Sequence, residues 1–228
     1  DGSCEEIINL FPATELLSLN ENFGYSGGNN RGIHSIADNP PDYICFLNND
    51  TIVKPDFIDH LISAAEKYGQ KCILGPKIYF MDQADKIWFN GGIVKLEKGT
   101  IKHEEIGLDD LESSTDDKLT DYITGCCLFL NWDLLMQLNG FDEQFNMYGE
   151  DVDLCLRAGK IGVSCRVIPD SIVSHAVSSS MGGRYSFKKQ IKKLMAIRRL
   201  VGIHLSENSK NLIMFKTVLN DLKNLLLY

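Results

Sequence analysis

Residues 149–157 read Gly149-Glu150-Asp151-Val152-Asp153-Leu154-Cys155-Leu156-Arg157, placing three carboxylates at the opening of a short predicted helix, just after Gly140-Phe141-Asp142-Glu143. Carboxylates in a first helical turn face unpaired backbone N–H groups and the positive end of the helix dipole. That setting predicts ionised side chains, the form required of a general base or a metal ligand. An acidic turn on a solvated helix has the same composition. What else converges on it therefore decides the chemistry.

Asp50 closes the run Tyr43-Ile44-Cys45-Phe46-Leu47-Asn48-Asn49-Asp50 and so falls just beyond a predicted buried strand. In open α/β sheets ligands bind at such strand ends. A carboxylate there suits a divalent cation carrying phosphate oxygens, and Asn48 and Asn49 beside it can hydrogen-bond hydroxyls. An Asx turn linking strand to helix accounts equally well for Asn-Asn-Asp alone. His175 ends another predicted strand, where a neutral imidazole can complete a cation site with Asp50 or serve a structural role. His34, His60, His103 and His204 have no comparable setting. The segment Asn22-Phe23-Gly24-Tyr25-Ser26-Gly27-Gly28-Asn29-Asn30-Arg31-Gly32 predicts a pliable, donor-rich loop able to approach a nucleotide closely. Its spacing matches neither the dinucleotide fingerprint nor the phosphate-binding loop that ends in Gly-Lys-Ser/Thr.

The elements that would position these groups alternate between strand and helix. A capping-box spacing at Ser3 and Glu6 predicts a first helix with Ile7, Ile8, Leu10 and Phe11 on its apolar face. Glu15–Leu19 reads as a strand, the glycine-rich loop follows, and a helix runs on through Ile33 and Ile36. Tyr43–Leu47 is apolar throughout, as in a strand covered on both faces. Pro55 opens a helix bearing Phe57, Ile58, Leu61, Ile62 and Ala65 on one side, and Cys72-Ile73-Leu74 is the next strand. Residues 104–121 hold eight acidic side chains and predict a solvated loop. Tyr122–Leu130 and Val163–Ile168 return to the core as strands, the second stopped by Pro169, while Asn131 caps a helix ending at Gly140. The expected fold is therefore α/β, with a mostly parallel central sheet flanked by helices.

The bulk numbers narrow the class. The chain has 228 residues, 44% hydrophobic and 24% charged, and no apolar run near the ~20 residues that span a bilayer. Seven scattered cysteines without a Cys-x-x-Cys pair predict a reducing, cytosolic compartment. The net charge of −8 is uneven: from Arg184 onward there are ten Lys/Arg against two Asp/Glu. An acidic body with a basic tail argues against a nucleic-acid groove. It divides the chain into a domain over 1–183 and a basic helical extension over 184–228. Within the extension, Phe187–Val201 predicts a helix that either lies on an anionic membrane surface or packs on the core with a solvated basic face.

Taken in order, several segments resemble the family 2 glycosyltransferases, especially their rhamnosyltransferase-like branch. They are Asn22–Gly32, Phe46–Thr51, Thr124-Gly125-Cys126, Gly140–Glu143, Gly149–Arg157 and Pro169-Asp170 through His175, with Gly140–Arg157 the most specific. The resemblance covers roughly residues 1–180. It implies the A-type, Rossmann-like nucleotide-diphospho-sugar transferase fold, with a further strand–helix–strand of about 35 residues ahead of Asp1. It implies inverting transfer from a nucleotide-diphospho-sugar to a glycan or lipid-linked acceptor in polysaccharide assembly.

By the same resemblance, Asp50 would hold Mg²⁺ or Mn²⁺ on the diphosphate, with His175 an additional ligand and Asn48 in place of the family's first motif aspartate. Asp151 would be the general base, with Glu150 positioning it or binding the acceptor. Asn22, Gly27, Gly28, Asn29, Asn30 and Arg31 would contact substrate, as would Asn48, Asn49 and Gly125. Two other readings are a sugar-phosphate nucleotidyltransferase and a non-catalytic nucleotide-sugar binding module.

Overall fold

A computed structural model describes residues 2–69, 71–112, 115–145, 147–177 and 187–206. The chain opens with helices α1 (Ser3–Leu10) and α2 (Gly24–Ser35), then strands β1 (Tyr43–Leu47) and β2 (Thr51–Val53), helix α3 (Phe57–Tyr68) and strand β3 (Cys72–Phe80). Four strands follow: β4 (Gln83–Phe89), β5 (Gly92–Lys95), β6 (Thr100–His103) and β7 (Lys118–Thr120). Strand β8 (Cys127–Asn131) leads into α4 (Trp132–Gln137) and α5 (Glu150–Lys160), and β9 (Ser164–His175) precedes α6 (Phe187–His204).

The central sheet has the order β1-β8-β3-β9-β2, with β4 added to β3 and β7 to β9, while β5 and β6 form a separate hairpin. The α/β architecture agrees with the sequence; the predominance of parallel pairs does not. Only β3 and β9 pair in parallel, and the other ladders are antiparallel. Strands β1 and β3 do point the same way, as a strand–helix–strand unit requires. However, β8 inserts between them and runs opposite to both. No local periodicity reports that insertion, because it pairs residues more than fifty positions apart in sequence.

Alternation along the strands divides the core between the two faces of the sheet. Leu74 and Phe129 meet Leu61, Ala64 and Ala65 of α3. Ile73, Leu128 and Leu130 lie in the opposite cluster with Leu135, Leu154 and Leu200 of α4, α5 and α6. Asn131 caps α4 as its sequence predicts, its Oδ1 accepting from the N–H groups of Asp133 and Leu134. Pro169 does not stop β9: the pairing steps from Pro76–Ile168 to Lys77–Ile172, so the proline, lacking an N–H, occupies a bulge.

Three local expectations fail for identifiable reasons. Helix α1 forms, but without a side-chain cap and with no buried residue; Ile8, Leu10 and Phe11 are all exposed. Residues 15–19 are not a strand, having no partner edge among the described residues. The acidic 104–121 segment is tied down rather than left in solvent. Asp109, Asp110 and Asp117 pair with Lys86, Lys77 and Lys67, and Lys118 bonds Glu105. Strand β7 from the same segment then joins β9.

Helix α6 packs on the body of the fold. Ala196, Leu200 and Val201 are buried, Arg199 bonds Asp142 at 2.9 Å, and His204 bonds Asp153 at 2.8 Å. The expected division at 183/184 and residues 207–228 lie outside the described residues. Leu200→Ala should destabilise the protein by about 2–5 kcal/mol, the usual loss for a fully buried leucine. Urea unfolding that detects less than about 0.5 kcal/mol would mean that α6 is not docked.

Candidate functional site

Strand pairing brings Asp50 and His175 together. Thr51 in β2 lies opposite His175 in β9, and the Asp50 carbonyl accepts the Ala176 N–H at 2.9 Å. The side chains then meet, with His175 Nε2 3.2 Å from Asp50 Oδ1. Burial lowers the His175 pKa against the opposing pull of Asp50, which favours the neutral imidazole that can ligate a metal. Adjacent ligands of an octahedral Mg²⁺-like ion, each about 2.1 Å away, are about 3 Å apart. The observed separation fits two such positions. Among the described residues no group of three His, Cys, Asp or Glu side chains gathers for a metal, so these two are the protein donors present. Asn48 is half-buried and its N–H donates to the Cys126 carbonyl, whereas Asn49 is exposed.

The acidic turn is built by two residues in the left-handed region. Tyr148 has φ 71° and Gly149 φ 90°, and Gly149 occupies the N-cap of α5. A Cβ at Gly149 would meet both Ala196 and Phe145 at 3.2 Å, so α6 closes over the turn. Asp151 is held by backbone alone: Gly125 N–H donates to Oδ2 and Val152 N–H to Oδ1, each at 2.8 Å. Gly125 is held in turn by Tyr25, whose hydroxyl donates to its carbonyl at 2.6 Å. Both backbone groups of Gly125 thus support neighbouring side chains, its N–H that of Asp151 and its carbonyl that of Tyr25.

The expected ionising effect of the helix terminus is overruled for two of the three carboxylates. Burial pushes Glu150 up to about 8, with the Asp151 carboxylate adding to the rise. Burial also raises Asp151, while the N–H groups of Gly125 and Val152 oppose it. Glu150 is buried and its Oε2 has no hydrogen-bond partner. Glu150 therefore holds its proton the more tightly of the pair, while two backbone N–H groups favour the charge on Asp151. Asp153 alone is lowered, because His204 and Arg157 bond it and outweigh its burial.

One segment joins the two carboxylate centres. Gly125 reaches Asp151, the next residue accepts from Asn48, and burial raises the Cys126 thiol with further contributions from Asp50 and Asp151. The glycine-rich stretch is different: from Gly24 onward it is helix α2 instead of a loop, entered through Asn22, whose Oδ1 accepts the Gly24 N–H. Asn30 exchanges two hydrogen bonds with the Phe141 backbone and donates a third to Glu143. Arg31 lies over the Phe23 ring, donates to the Gly27 carbonyl and pairs with Glu143. Asn29 donates to the Tyr25 carbonyl. The side chains of these three expected substrate contacts bind α2 to the Gly140–Glu143 turn or to itself. Gly27 is enclosed by Phe23 and Arg31, while Gly28 faces open space.

Sequence reasoning missed several supports. Arg157, which bonds Asp153 and the Leu138 and Gly140 carbonyls, was detectable as the i+4 partner of Asp153. Tyr25, Arg199 and His204 act over separations that carry no local signal. Trp88 and His103, which stand beside His175, left none either.

The raised Glu150 pKa makes a pH-dependent stability. Between the unfolded value near 4.5 and the folded value about 8, the native state holds a proton that the unfolded state has lost. Unfolding free energy therefore falls as pH rises through that window, by up to about 1.4 kcal/mol per pH unit. Glu150→Gln should raise the melting temperature at pH 8.5 and change it much less at pH 4.5. Equal shifts at both would refute a protonated Glu150.

Comparison with known proteins gives this geometry a context. A rhamnosyltransferase of Mycobacterium tuberculosis, N-acetylglucosaminyl-diphospho-decaprenol L-rhamnosyltransferase, is 28% identical over 204 residues, covering 80% of this chain and 65% of its own. Rhamnosyltransferase WbbL of Escherichia coli is 26% identical, covering 64% of this chain and 58% of its own. The chain thus spans somewhat under two thirds of these relatives. Among solved structures, GalNAc-T7 with UDP, GalNAc and Mn²⁺ superposes with TM-score 0.66 at 13% identity, over 87% of this chain and 39% of that one. S. aureus TarS 1-349 with UDP-GlcNAc superposes at 0.54 and 12% identity, over 96% of this chain and 59% of that one. The fold is accordingly that of the A-type glycosyltransferases. The model of glycosyl transferase family group 2 matches residues 43–226, most of the chain, and the protein belongs to that family.

Proposed function

We propose that this chain carries the transfer site of an inverting glycosyltransferase that moves a sugar from a nucleotide-diphospho-sugar to an acceptor hydroxyl. The observation that carries the reading is an Asp151 carboxylate fixed by two backbone N–H groups beside a buried Glu150 whose Oε2 has no partner. Asp151 takes the acceptor proton as the acceptor oxygen bonds the anomeric carbon. The bond to the diphosphate breaks on the opposite face, its electron pair leaves with the nucleotide, and the configuration inverts. Glu150 orients the acceptor by donating a hydrogen bond. Asp50 and His175 would hold Mg²⁺ or Mn²⁺, which when bound neutralises charge on the departing diphosphate. One structural neighbour was solved with UDP, GalNAc and Mn²⁺, which supports a donor and metal of this kind. The two rhamnosyltransferase relatives support rhamnose as the sugar and a lipid-linked or glycan acceptor in cell-surface polysaccharide assembly.

In the full-length protein, Asp151→Asn should lower turnover by about 10²- to 10⁴-fold while leaving nucleotide-sugar binding nearly intact. Transfer at the unaltered rate, followed by chromatography across a panel of nucleotide-diphospho-sugars, would remove Asp151 as the base. Donor binding without turnover in the unaltered protein would favour a binding module.

Work at a lipid-linked acceptor fits a cytoplasmic enzyme in peripheral contact with an anionic membrane. Helix α6 has six Lys/Arg and no Asp/Glu, and Ile191 and Met195 are exposed on it with Lys192 and Arg198. No helix among the described residues is long and apolar enough to cross a membrane. Replacing Lys192 and Arg198 by Glu should abolish flotation with phosphatidylglycerol-containing vesicles. Undiminished flotation would reject contact through this helix.

A further inference from the structure

We infer that Trp88 is a positioning residue for the Asp50–His175 pair, orienting the imidazole that is to meet the cation. The inference rests on the reading that this pair holds a divalent metal. A metal-binding histidine usually donates its second ring N–H to a carboxylate, carbonyl or water, which fixes the ring plane. His175 departs from this: its Nδ1 is buried without a hydrogen-bond partner. With Asp50 on Nε2 alone, the ring plane depends on packing as well.

The indole of Trp88 supplies that packing. It meets the His175 ring edge-to-face, with centroids 4.5 Å apart and planes at 73°. It also meets the His103 ring, at 4.6 Å and 84°. His103 is fixed in turn by a 3.1 Å bond between Nδ1 and the Trp88 carbonyl, and by an edge contact with Phe89 at 5.0 Å. Such edge-to-face contacts bias the orientation of a ring whose Nδ1 makes no hydrogen bond.

The backbone of β4 is shaped to deliver this side chain. Ile78 lies opposite Phe89 and Tyr79 opposite Ile87, so the ladder skips Trp88. Trp88 is the extra residue of a β-bulge, a device that re-aims a side chain from the face it would otherwise occupy. Its neighbours Ile87 and Phe89 are fully buried in the core, whereas Trp88 is only half-buried, and β3 carries the bulge to the end of β9 by pairing Phe80 with His175. A tryptophan placed merely to fill the core needs no bulge.

The protein has two tryptophans, and Trp132 lies buried in α4, so fluorescence can isolate Trp88. In Trp132→Phe, Mn²⁺ added with UDP or dTDP should quench the remaining emission, since the paramagnetic ion would sit one ring away; in Trp88→Phe the Trp132 emission should change far less. Electron paramagnetic resonance of free Mn²⁺ should show affinity weakened on the order of 10-fold by Trp88→Leu and largely restored by Trp88→Phe, which keeps a ring edge. Normal Mn²⁺ affinity in Trp88→Leu, or unquenched Trp88 emission on saturation, overturns the inference while leaving the metal site standing. Mn²⁺ binding that survives Asp50→Ala would instead overturn the metal reading itself. Should Trp88→Leu fail to fold, the quenching experiment decides alone.

Discussion

The 2.8 Å hydrogen bond from Gly125 N–H to Asp151 is the contact on which the geometry of this protein depends. Gly125 stands at the mouth of β8, the strand that inserts between β1 and β3 and reverses the local sheet direction. That insertion sets the buried Thr124-Gly125-Cys126 segment beside Asn48, just past the end of β1. One short segment can then touch Asp151 through an N–H and Asn48 through a carbonyl. Had β8 joined an outer edge of the sheet, the Asp50 and Asp151 centres would have no common support. The Tyr25 hydroxyl completes the arrangement by fixing the Gly125 carbonyl from α2.

Two opposing electrostatic effects meet at the start of α5, and their magnitudes decide the outcome. A helix N-terminus favours a carboxylate by about 0.3–1 kcal/mol at an exposed site. Moving Glu150 from 4.5 to about 8 corresponds to about 5 kcal/mol against its charge. Burial therefore prevails by several-fold, and of the three carboxylates only Asp153 ends below its ordinary value. Asp151 has two N–H donors, Asp153 has Arg157 and His204, and one oxygen of Glu150 has nothing.

The same contrast explains what the sequence could reveal. Features specified within a few residues were legible: the Asn131 cap, the α3 face around Leu61, the strand at Tyr43–Leu47 (though it ends the sheet order with Leu47 exposed, not covered on both faces) and the positions of Asp50, Asp151 and His175 at element ends. Features created by distant pairing were not. The direction of β8, the docking of α6 through Leu200, and the Asn30–Phe141 exchange all join residues far apart in the chain. The glycine-rich stretch misled because glycine usually weakens a helix. Here Asn30 and Arg31 recover that cost through bonds across more than a hundred residues. The bulge at Trp88 was equally silent, since a bulge is defined by its partner strand.

The third carboxylate of the turn shows why the supports matter to the chemistry. Asp153 is nearly inaccessible and lies two residues from Asp151, so an unpaired charge there would raise Asp151 further by like-charge repulsion. Arg157 and His204 bond both of its oxygens instead, one from the same helix and one from α6. With Asp153 paired and Glu150 raised by burial, Asp151 is the carboxylate of the turn that backbone N–H groups alone stabilise. A site with three free carboxylates would attract cations indiscriminately and would leave no defined base. Arg199 reinforces the selection by fixing Asp142 just ahead of the turn. The basic helix thus takes part in the electrostatics of the acidic turn through His204 and Arg199, whatever its outer face meets.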